Sequence, residues 1–276
     1  MNEFSITFLD TAAASINPFS PTSASLVEVG NSKILIDAGI GAMRKLLKAQ
    51  LNSGDVDAIL ITHWHFDHYA GLPALLKSRN RTSVLPVYGP KPSIAALMYL
   101  CGLTHSKHIR FETIAENFSK DFKNIRIETV PTVHDIISLG WVLTERSSGE
   151  QMGKRRIVIS DTRPTETILN AAKGADLLVH EATYPDTNAL TAHKHRHCTV
   201  TEAANLAVKA HVGALALTHT GSRYSKQNTL KEAGKIFPLV LVPSPLDRIY
   251  IESASDRVKN NNFGWGQLRL AGEKNN

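Results

Sequence analysis

The stretch THWHFDHYAGL (residues 62–72) follows the apolar run DAILI and holds four side chains that can bind metal ions. The apolar run predicts a strand before them, and the spacing after them predicts a helix. In a turn of this kind alternate side chains point the same way, so His63 and His65 can bind one ion. Asp67 and His68, at the start of the helix, face a second position. Imidazole nitrogens and carboxylate oxygens without thiolates suit zinc and neighbouring first-row metals.

Three further side chains of this kind stand at the ends of apolar runs elsewhere in the chain. His134 follows RIETVPTV, Asp161 follows RRIVIS and His219 follows ALALT. One such residue alone is typical of a strand cap or a turn, but the set of three completes the ligands that two ions need. We therefore expect the first ion to be held by His63, His65 and His134, the second by Asp67, His68 and His219, and both to be bridged by Asp161.

The order of the predicted elements indicates two facing sheets. Apolar, β-rich segments come first, and two of them (residues 23–30 and 32–39) are joined by a Gly-Asn hairpin signal. Helices are expected over residues 67–80 and 91–103, a β-rich region follows, and strands and helices then alternate to the end of the fold. Two sheets packed face to face with helices outside accommodate this order.

The composition is that of a globular protein. The chain has 276 residues, of which 42% are apolar and 20% charged, and it contains no apolar run long enough to cross a bilayer. We expect one domain over residues 1–256 and a polar, loosely ordered tail over residues 257–276. The N-terminus lacks a signal-peptide pattern, and Cys101 and Cys198 form no CxxC pair, so we expect a cytoplasmic protein with Cys198 buried and inert.

The net charge of +6 favours an anionic partner such as a phosphate ester or RNA. Charge alone is equally compatible with a protein that is basic for no functional reason. The basic segments at residues 154–156 and 192–197 (AHKHRH) are either a small electrostatic footprint for RNA or ordinary solvated surface.

The order H-x-H-x-D-H, with a later histidine, aspartate and histidine, resembles the metallo-β-lactamase superfamily. The resemblance implies an α+β protein with an αββα four-layer sandwich, in which two mixed sheets face each other and a two-metal site lies at one edge. Segments of the second half resemble the ribonuclease Z family, endonucleases that trim the 3′ trailers of tRNA. These segments are ISDTR (159–163), LLVHEATY (177–184), HCTVTEAANLA (197–207) and LALTHTGSRY (215–224).

The resemblance to ribonuclease Z runs from about Phe4 to Leu241 and implies a phosphodiesterase. It implies two Zn²⁺ ions per chain, with Mn²⁺, Fe²⁺ or Ni²⁺ as alternatives, an RNA or other phosphodiester substrate, and a homodimer. Zinc cannot be told from the other metals by the ligands, since metal availability often decides.

The resemblance also implies roles for individual side chains. Asp67 would bind the second ion and orient or deprotonate the attacking water. His197 would protonate the leaving alkoxide, held by Glu181, which fixes the tautomer of the imidazole and raises its basicity. Arg223, in the segment after His219, would bind a substrate phosphate.

Two features depart from the ribonuclease Z pattern. Bacterial members insert a long arm that clamps tRNA between the ligands that correspond to His134 and Asp161, whereas only residues 135–160 separate these positions here. The N-terminal loop reads LDTAAAS where the family has a Gly-rich turn. Both features concern substrate handling and leave the metal ligands intact.

Three functions are therefore open. The leading one is a dinuclear zinc phosphodiesterase that acts on RNA 3′ ends. The second is a hydrolase of the same fold acting on a small substrate: a cyclic or simple phosphodiester, a lactone or a β-lactam. The third, a catalytically inactive RNA-binding scaffold, is disfavoured because such relatives typically lose metal ligands and all seven are present.

Overall fold

The computed structural model describes residues 3–13, 22–91, 107–146, 155–221, 224–252 and 268–270. The strands in these residues are β1 Phe4–Thr11, β2 Ser23–Val29, β3 Ser32–Ile36, β4 Ala58–Leu60, β5 Leu85–Gly89, β6 Ile109–Thr113, β7 Ser119–Phe122, β8 Ile125–Pro131, β9 Leu139–Glu145, β10 Arg156–Ser160, β11 Leu177–Glu181, β12 Leu215–Thr218, β13 Val240–Leu241, β14 Arg248–Ile251 and β15 Leu268–Leu270. The first sheet has the order β15-β14-β1-β2-β3-β4-β5-β6 and the second the order β13-β12-β11-β10-β9-β8-β7. Both sheets combine parallel and antiparallel pairs.

The described helices are short. They are α1 Ala42–Lys48, α2 Phe66–Tyr69, α3 Leu72–Lys77, α4 Glu166–Ala172, α5 Ala189–Lys194, α6 Val200–Ala210 and α7 Lys226–Gly234. None of the helices in this part of the chain has the length and apolar character that a membrane span requires. The predicted helix over residues 91–103 lies, except for its first residue, outside the described residues.

Three apolar cores separate the layers of the fold. The central core lies between the two sheets and contains Phe8 of β1 and Trp141 of β9. Because side chains alternate along a strand, Leu9 points to the face of the first sheet opposite to that of Phe8. It belongs to a second core, between this sheet and α1, to which Leu46 of α1 contributes. The third core lies between the second sheet and α6, where Ala203 is fully buried. The predicted α+β class and αββα four-layer sandwich are confirmed.

The helix predicted over residues 67–80 is divided into α2 and α3. The backbone of Ala38 inserts between them: its amide donates to the carbonyl of His68 (2.7 Å), and its carbonyl accepts from the amide of Gly71 (2.8 Å). A Cβ atom on Gly71 would lie 2.1 Å from the carbonyl oxygen of Gly39, so only glycine fits there. The break therefore results from a long-range backbone contact that the helical spacing does not reveal.

The predicted hairpin and part of the predicted tail are ordered strands. β2 and β3 pair antiparallel with Val29 opposite Ser32, and Gly30 in the turn has a φ of 55°. Residues 268–270 of the tail, expected to be loose, form β15 instead and pair with β14. The free edge of β14 offers the backbone hydrogen bonds that this short strand needs.

Candidate metal centre

The candidate centre lies where strands of both sheets end. β8, β10, β11 and β12 run in the same direction, so their carboxyl ends meet at one edge of the second sheet. The segment after β4 of the first sheet reaches this edge, where the amide of Leu139 donates to the carbonyl of Thr62 (2.9 Å). The fold thus brings all seven predicted ligands together: His63, His65, Asp67, His68, His134, Asp161 and His219.

One group consists of His63, His65 and His134. The Nδ1 atom of His65 lies 2.9 Å from Nε2 of His63 and 3.0 Å from Nε2 of His134. The other ring nitrogen of His65 lies 3.2 Å from Oδ1 of Asp135. Three imidazole nitrogens from two sheets therefore converge on one point, as in the first predicted ligand set.

A second group consists of Asp67, His68 and His219. The Oδ2 atom of Asp67 lies 3.2 Å from Nε2 of His219 and 3.5 Å from Nε2 of His68. All three residues are buried. The second predicted ligand set is thus also assembled, from two residues of α2 and one residue after β12.

Asp161 lies between the two groups. Its Oδ2 atom is 3.2 Å from Nε2 of His68, 3.6 Å from Nε2 of His219 and 4.0 Å from Nε2 of His63. Both carboxylate oxygens of Asp161 and Nε2 of His68 are buried without a hydrogen-bond partner. Leaving such atoms unsatisfied is unfavourable, and nitrogen and oxygen donors of this kind are those that divalent cations take. The donor set therefore fits divalent metal ions.

The environment shifts the pKa values of the buried groups. Burial and the nearby His68 hold the pKa of His63 well below its usual range. Burial likewise lowers the pKa of His134 to about 4. Burial raises the pKa of Asp67, but the neighbouring ring of His219 and the charge of His68 outweigh it and lower the value to about 2. A metal ion needs neutral imidazoles and ionised carboxylates, and these shifts favour both.

His68 and Asp161 are tied to each other and shift in opposite directions. Burial lowers the pKa of His68, but the charge of Asp37, the adjacent Asp161 carboxylate and the hydrogen bond to Asp37 raise it well above the usual range. Burial raises the pKa of Asp161, and the charge of His219 together with His68 overrides this and holds it well below the usual range.

Asp37 and Thr62 support the centre and were missed by the sequence analysis. The ring of His68 donates from Nδ1 to Oδ2 of Asp37 (2.8 Å), and the Thr62 hydroxyl donates to the same oxygen (2.9 Å). Since the hydroxyl has one hydrogen, it accepts from Nδ1 of His63 (2.9 Å). Both rings therefore present Nε2 to the centre. Asp37 follows the apolar run KILI, so the strand-end criterion used for Asp161 could have found it.

Thr183 sets the tautomer of His219 in the way that Thr62 sets that of His63. Its hydroxyl donates to Oε2 of Glu181 (2.5 Å) and so accepts from Nδ1 of His219 (2.9 Å). The Nε2 atom of His219 is left with a free lone pair that faces Asp67. Thr183 lies inside the HEATY segment, but no pattern in the sequence distinguishes it from an ordinary strand-end threonine.

Glu181 and His197 form a hydrogen-bonded pair beside these groups, as predicted. Nδ1 of His197 donates to Glu181, at 2.9 Å from Oε1 and 3.0 Å from Oε2, and lies 3.7 Å from Oδ1 of Asp161. Glu181 is fully buried, and burial together with the charge of Asp161 raises its pKa well above the usual range. The side chain of His197 remains 17% exposed, so its Nε2 is the ring nitrogen available to a substrate.

A helix C-cap positions His197. After α5 the amide of His197 donates to the carbonyl of Ala192 (2.9 Å), and the amide of Arg196 donates to that of His193 (3.2 Å). This is a Schellman motif, in which Arg196 takes the left-handed position with a φ of 59°. The Arg196 guanidinium donates to the carbonyl of His134. Arg196 thus ties the His197 segment to a predicted ligand, a role that sequence reasoning did not assign.

Two other predictions have different outcomes. Arg223, the predicted phosphate ligand, lies outside the described residues. Cys198 is fully buried, and burial together with the charge of Glu181 raises the pKa of its thiol well above the usual range. The expectation that Cys198 is a buried, unreactive thiol is consistent with this environment.

The chain is similar to proteins of known family and structure. Residues 32–220 match the family model described as "Beta-lactamase superfamily domain". The chain is 29% identical to the "Ribonuclease Z" of Bradyrhizobium diazoefficiens, covering 90% of this chain and 100% of that protein. The chain is also similar to the solved structure of human tRNase Z, short form, with a TM-score of 0.73 and 27% identity. The match covers 88% of this chain and 98% of that chain. The structure of the metallo-beta-lactamase fold protein YhfI from Bacillus subtilis matches with a TM-score of 0.78 over 91% of this chain and 100% of that chain. Its identity to this chain is 21%, so this match shows the fold alone.

Proposed function

Because the chain belongs to the beta-lactamase superfamily and is a metal-dependent hydrolase, we propose that it is an endoribonuclease of the ribonuclease Z type. The match confirms the resemblance drawn from H-x-H-x-D-H and from the HEATY segment. The proposed substrate is the 3′ end of a tRNA precursor, and the proposed location is the cytoplasm.

Two divalent cations, with zinc as the proposed metal, fit the seven side chains of the centre. His63, His65 and His134 would hold one, Asp67, His68 and His219 the other, and Asp161 would contact both. When bound, such a pair lowers the pKa of water and offsets the negative charge of a phosphate. Mn²⁺, Fe²⁺ and Ni²⁺ accept the same nitrogen and oxygen donors and are the alternatives.

Asp67 and His197 are the side chains proposed to handle protons. Asp67, whose Oδ2 atom lies 3.2 Å from Nε2 of His219, orients the attacking water and takes a proton from it. The water oxygen bonds to phosphorus while the bond from phosphorus to the leaving ribose oxygen breaks. His197 donates the proton on its Nε2 atom to that oxygen. The Nδ1–H group of His197 stays hydrogen-bonded to Glu181 throughout.

The observation that carries the proposal is the pairing of His197 with the buried Glu181 at 3.7 Å from Asp161. A ribose oxygen is a poor leaving group and needs an acid, whereas an activated phenolate leaves without one. A buried carboxylate that holds an imidazole for proton donation is therefore expected in an enzyme that cleaves unactivated phosphodiesters such as RNA.

The proposal is tested with wild-type protein and His197→Ala on an unprocessed tRNA precursor, bis(p-nitrophenyl) phosphate and a lactone. We expect wild-type cleavage of the precursor, and in the variant a loss of about a hundredfold or more on the precursor with most activity on the nitrophenyl ester retained. His108→Ala is a matched control, since His108 precedes β6 at the opposite end of the parallel strands β4–β6. Wild-type protein that cleaves the ester but not the precursor would reject the proposal.

A small-substrate hydrolase is the second candidate, and the short connection after His134 favours it. β9 and β10 are antiparallel neighbours and together take twelve of the 26 residues that separate His134 from Asp161. A long substrate-binding arm has no place there. Activity restricted to simple phosphodiesters or to the lactone would support this candidate.

A further inference from the structure

Two rings lie next to the predicted proton donor and take no part in the proposed chemistry. The rings of Tyr184 and His195 are within 12° of parallel, with their centroids 6.5 Å apart. Tyr184 is partly exposed and His195 is exposed. Parallel aromatic faces that remain open to solvent can take up a further planar group by stacking.

Both rings belong to the segments that position the catalytic pair. Tyr184 follows β11, three residues after Glu181, and its amide donates to the carbonyl of Cys198 (3.3 Å). His195 ends α5, where its amide donates to the carbonyl of Thr191 (3.1 Å). The two rings are therefore held by backbone hydrogen bonds of the two segments that also contain Glu181 and His197.

The distance to His197 relates this ring pair to the scissile bond. The ring centroids of Tyr184 and His197 are 6.0 Å apart, with 46° between the planes. The proposed function places the leaving ribose oxygen at Nε2 of His197. A planar group stacked on Tyr184 then belongs to the nucleoside that carries this oxygen.

The charges around the rings suit a nucleic-acid strand. Lys194 and Arg196 flank His195 in the chain, and both are exposed. The Arg196 guanidinium lies against the carbonyl of His134. Aromatic rings interleaved with cations are the pattern by which proteins bind single strands, because the rings stack on bases and the cations offset the phosphates.

We infer that Tyr184 and His195 form a stacking site for the base of the nucleoside that carries the leaving oxygen. The site requires that base to be unpaired, so the substrate is single-stranded at the scissile bond. This inference rests on the proposed function for its orientation, while the stacking itself is measurable without catalysis.

The test uses the cleavage product, because its 3′-terminal nucleoside carries the former leaving oxygen. A short single-stranded RNA ending in 2-aminopurine with a free 3′-hydroxyl is titrated with the metal-loaded protein, alongside the same RNA with an abasic 3′ end. Stacking on an aromatic ring quenches 2-aminopurine fluorescence. We expect quenching by the wild-type protein and about tenfold weaker binding of the abasic RNA.

Variants of Tyr184 distinguish the loss of its aromatic ring from a loss of the folded structure. Tyr184→Ala should abolish the quenching and bind both RNAs equally weakly, whereas Tyr184→Phe should restore the quenching and the preference for the intact base. His195→Ala should weaken binding of the intact RNA, and His108→Ala should not. Equal affinities of the wild-type protein for the intact and abasic RNAs, or no measurable binding of either, would overturn the inference.

The outcome is distinguishable from a failure of the proposed function. Base-dependent binding without cleavage of any RNA precursor would reject the endonuclease activity and support the stacking site. Cleavage of precursors that does not depend on the base 5′ to the scissile bond would retain the activity and reject the stacking site.

Discussion

Arg196 combines an unfavourable backbone conformation with a side-chain contact inside the candidate site. Its φ of 59° lies in the left-handed region, which costs a residue with a side chain about 1 kcal/mol relative to glycine. Glycine is the usual residue at this position of a Schellman motif. The Arg196 guanidinium donates to the carbonyl of His134, so the side chain offsets the strain with a contact between two parts of the site.

Replacing Arg196 by glycine or alanine separates these two effects. Both Arg196→Gly and Arg196→Ala remove the guanidinium, but only the glycine variant relieves the backbone. In urea titrations, we expect the free energy of unfolding of the glycine variant to be about 1 kcal/mol higher than that of the alanine variant. We expect both to lose about tenfold in kcat/KM on the RNA substrate, because the tether between His134 and His197 is gone. Wild-type kinetics in the glycine variant would show that the tether has no catalytic role.

The positions of the seven ligand-type residues could be predicted because His134, Asp161 and His219 follow apolar runs, and the other four lie in the turn and helix start that follow another such run. Their convergence depends only on strand direction, which the order of apolar runs indicates. Two of the partners of these residues, Thr62 and Thr183, could not be predicted in this way. Thr62 and Thr183 act through a single hydroxyl hydrogen whose direction depends on the neighbouring side chains. Asp37 meets the strand-end criterion, and only its contact with His68 identifies its role.

At the scale of elements, the predictions succeed where a local signal decides the structure. The Gly-Asn hairpin between β2 and β3 is set by a turn that glycine alone favours. The division between α2 and α3 is set by Ala38, which comes from a distant part of the chain. Helical spacing contains no information on that contact, so the continuous helix predicted over residues 67–80 is wrong: it is interrupted at residues 70–71 and ends at Lys77.

The start of α6 offers a test of a local signal. The Thr199 hydroxyl accepts from the amide of Glu202 (3.3 Å), and the Glu202 carboxylate accepts from the amide of Thr199 (2.9 Å). Thr199→Ala should reduce the free energy of unfolding by about 1 kcal/mol, since the capping box is lost. Thr199→Ser should restore it, because the hydroxyl is kept. Urea denaturation of the three proteins checks this, and an alanine variant as stable as the wild type would contradict it.

At the scale of the whole molecule, the sandwich follows from the order of elements and the superfamily resemblance together. Order alone indicates two sheets with helices outside, and the resemblance supplies the four-layer arrangement. The strand at residues 268–270 could not be predicted, because three residues are too short for a periodic signal and depend on the free edge of β14.

The homodimer implied by the resemblance stays a prediction. Size-exclusion chromatography with light scattering should give twice the 30.2 kDa mass of the chain. A mass of one chain across the concentration range would contradict it.

The central claim, that seven side chains hold two divalent cations, is tested most directly by the metal content of the purified protein. Elemental analysis after dialysis should give two zinc ions, or two ions of an alternative metal, per wild-type chain. Asp161→Ala, with its fold checked by circular dichroism, should retain fewer than one, because Asp161 lies within 4.0 Å of ligand nitrogens from both groups. Wild-type protein without bound metal after growth in ample zinc, or a folded Asp161→Ala variant with two ions, would contradict the account.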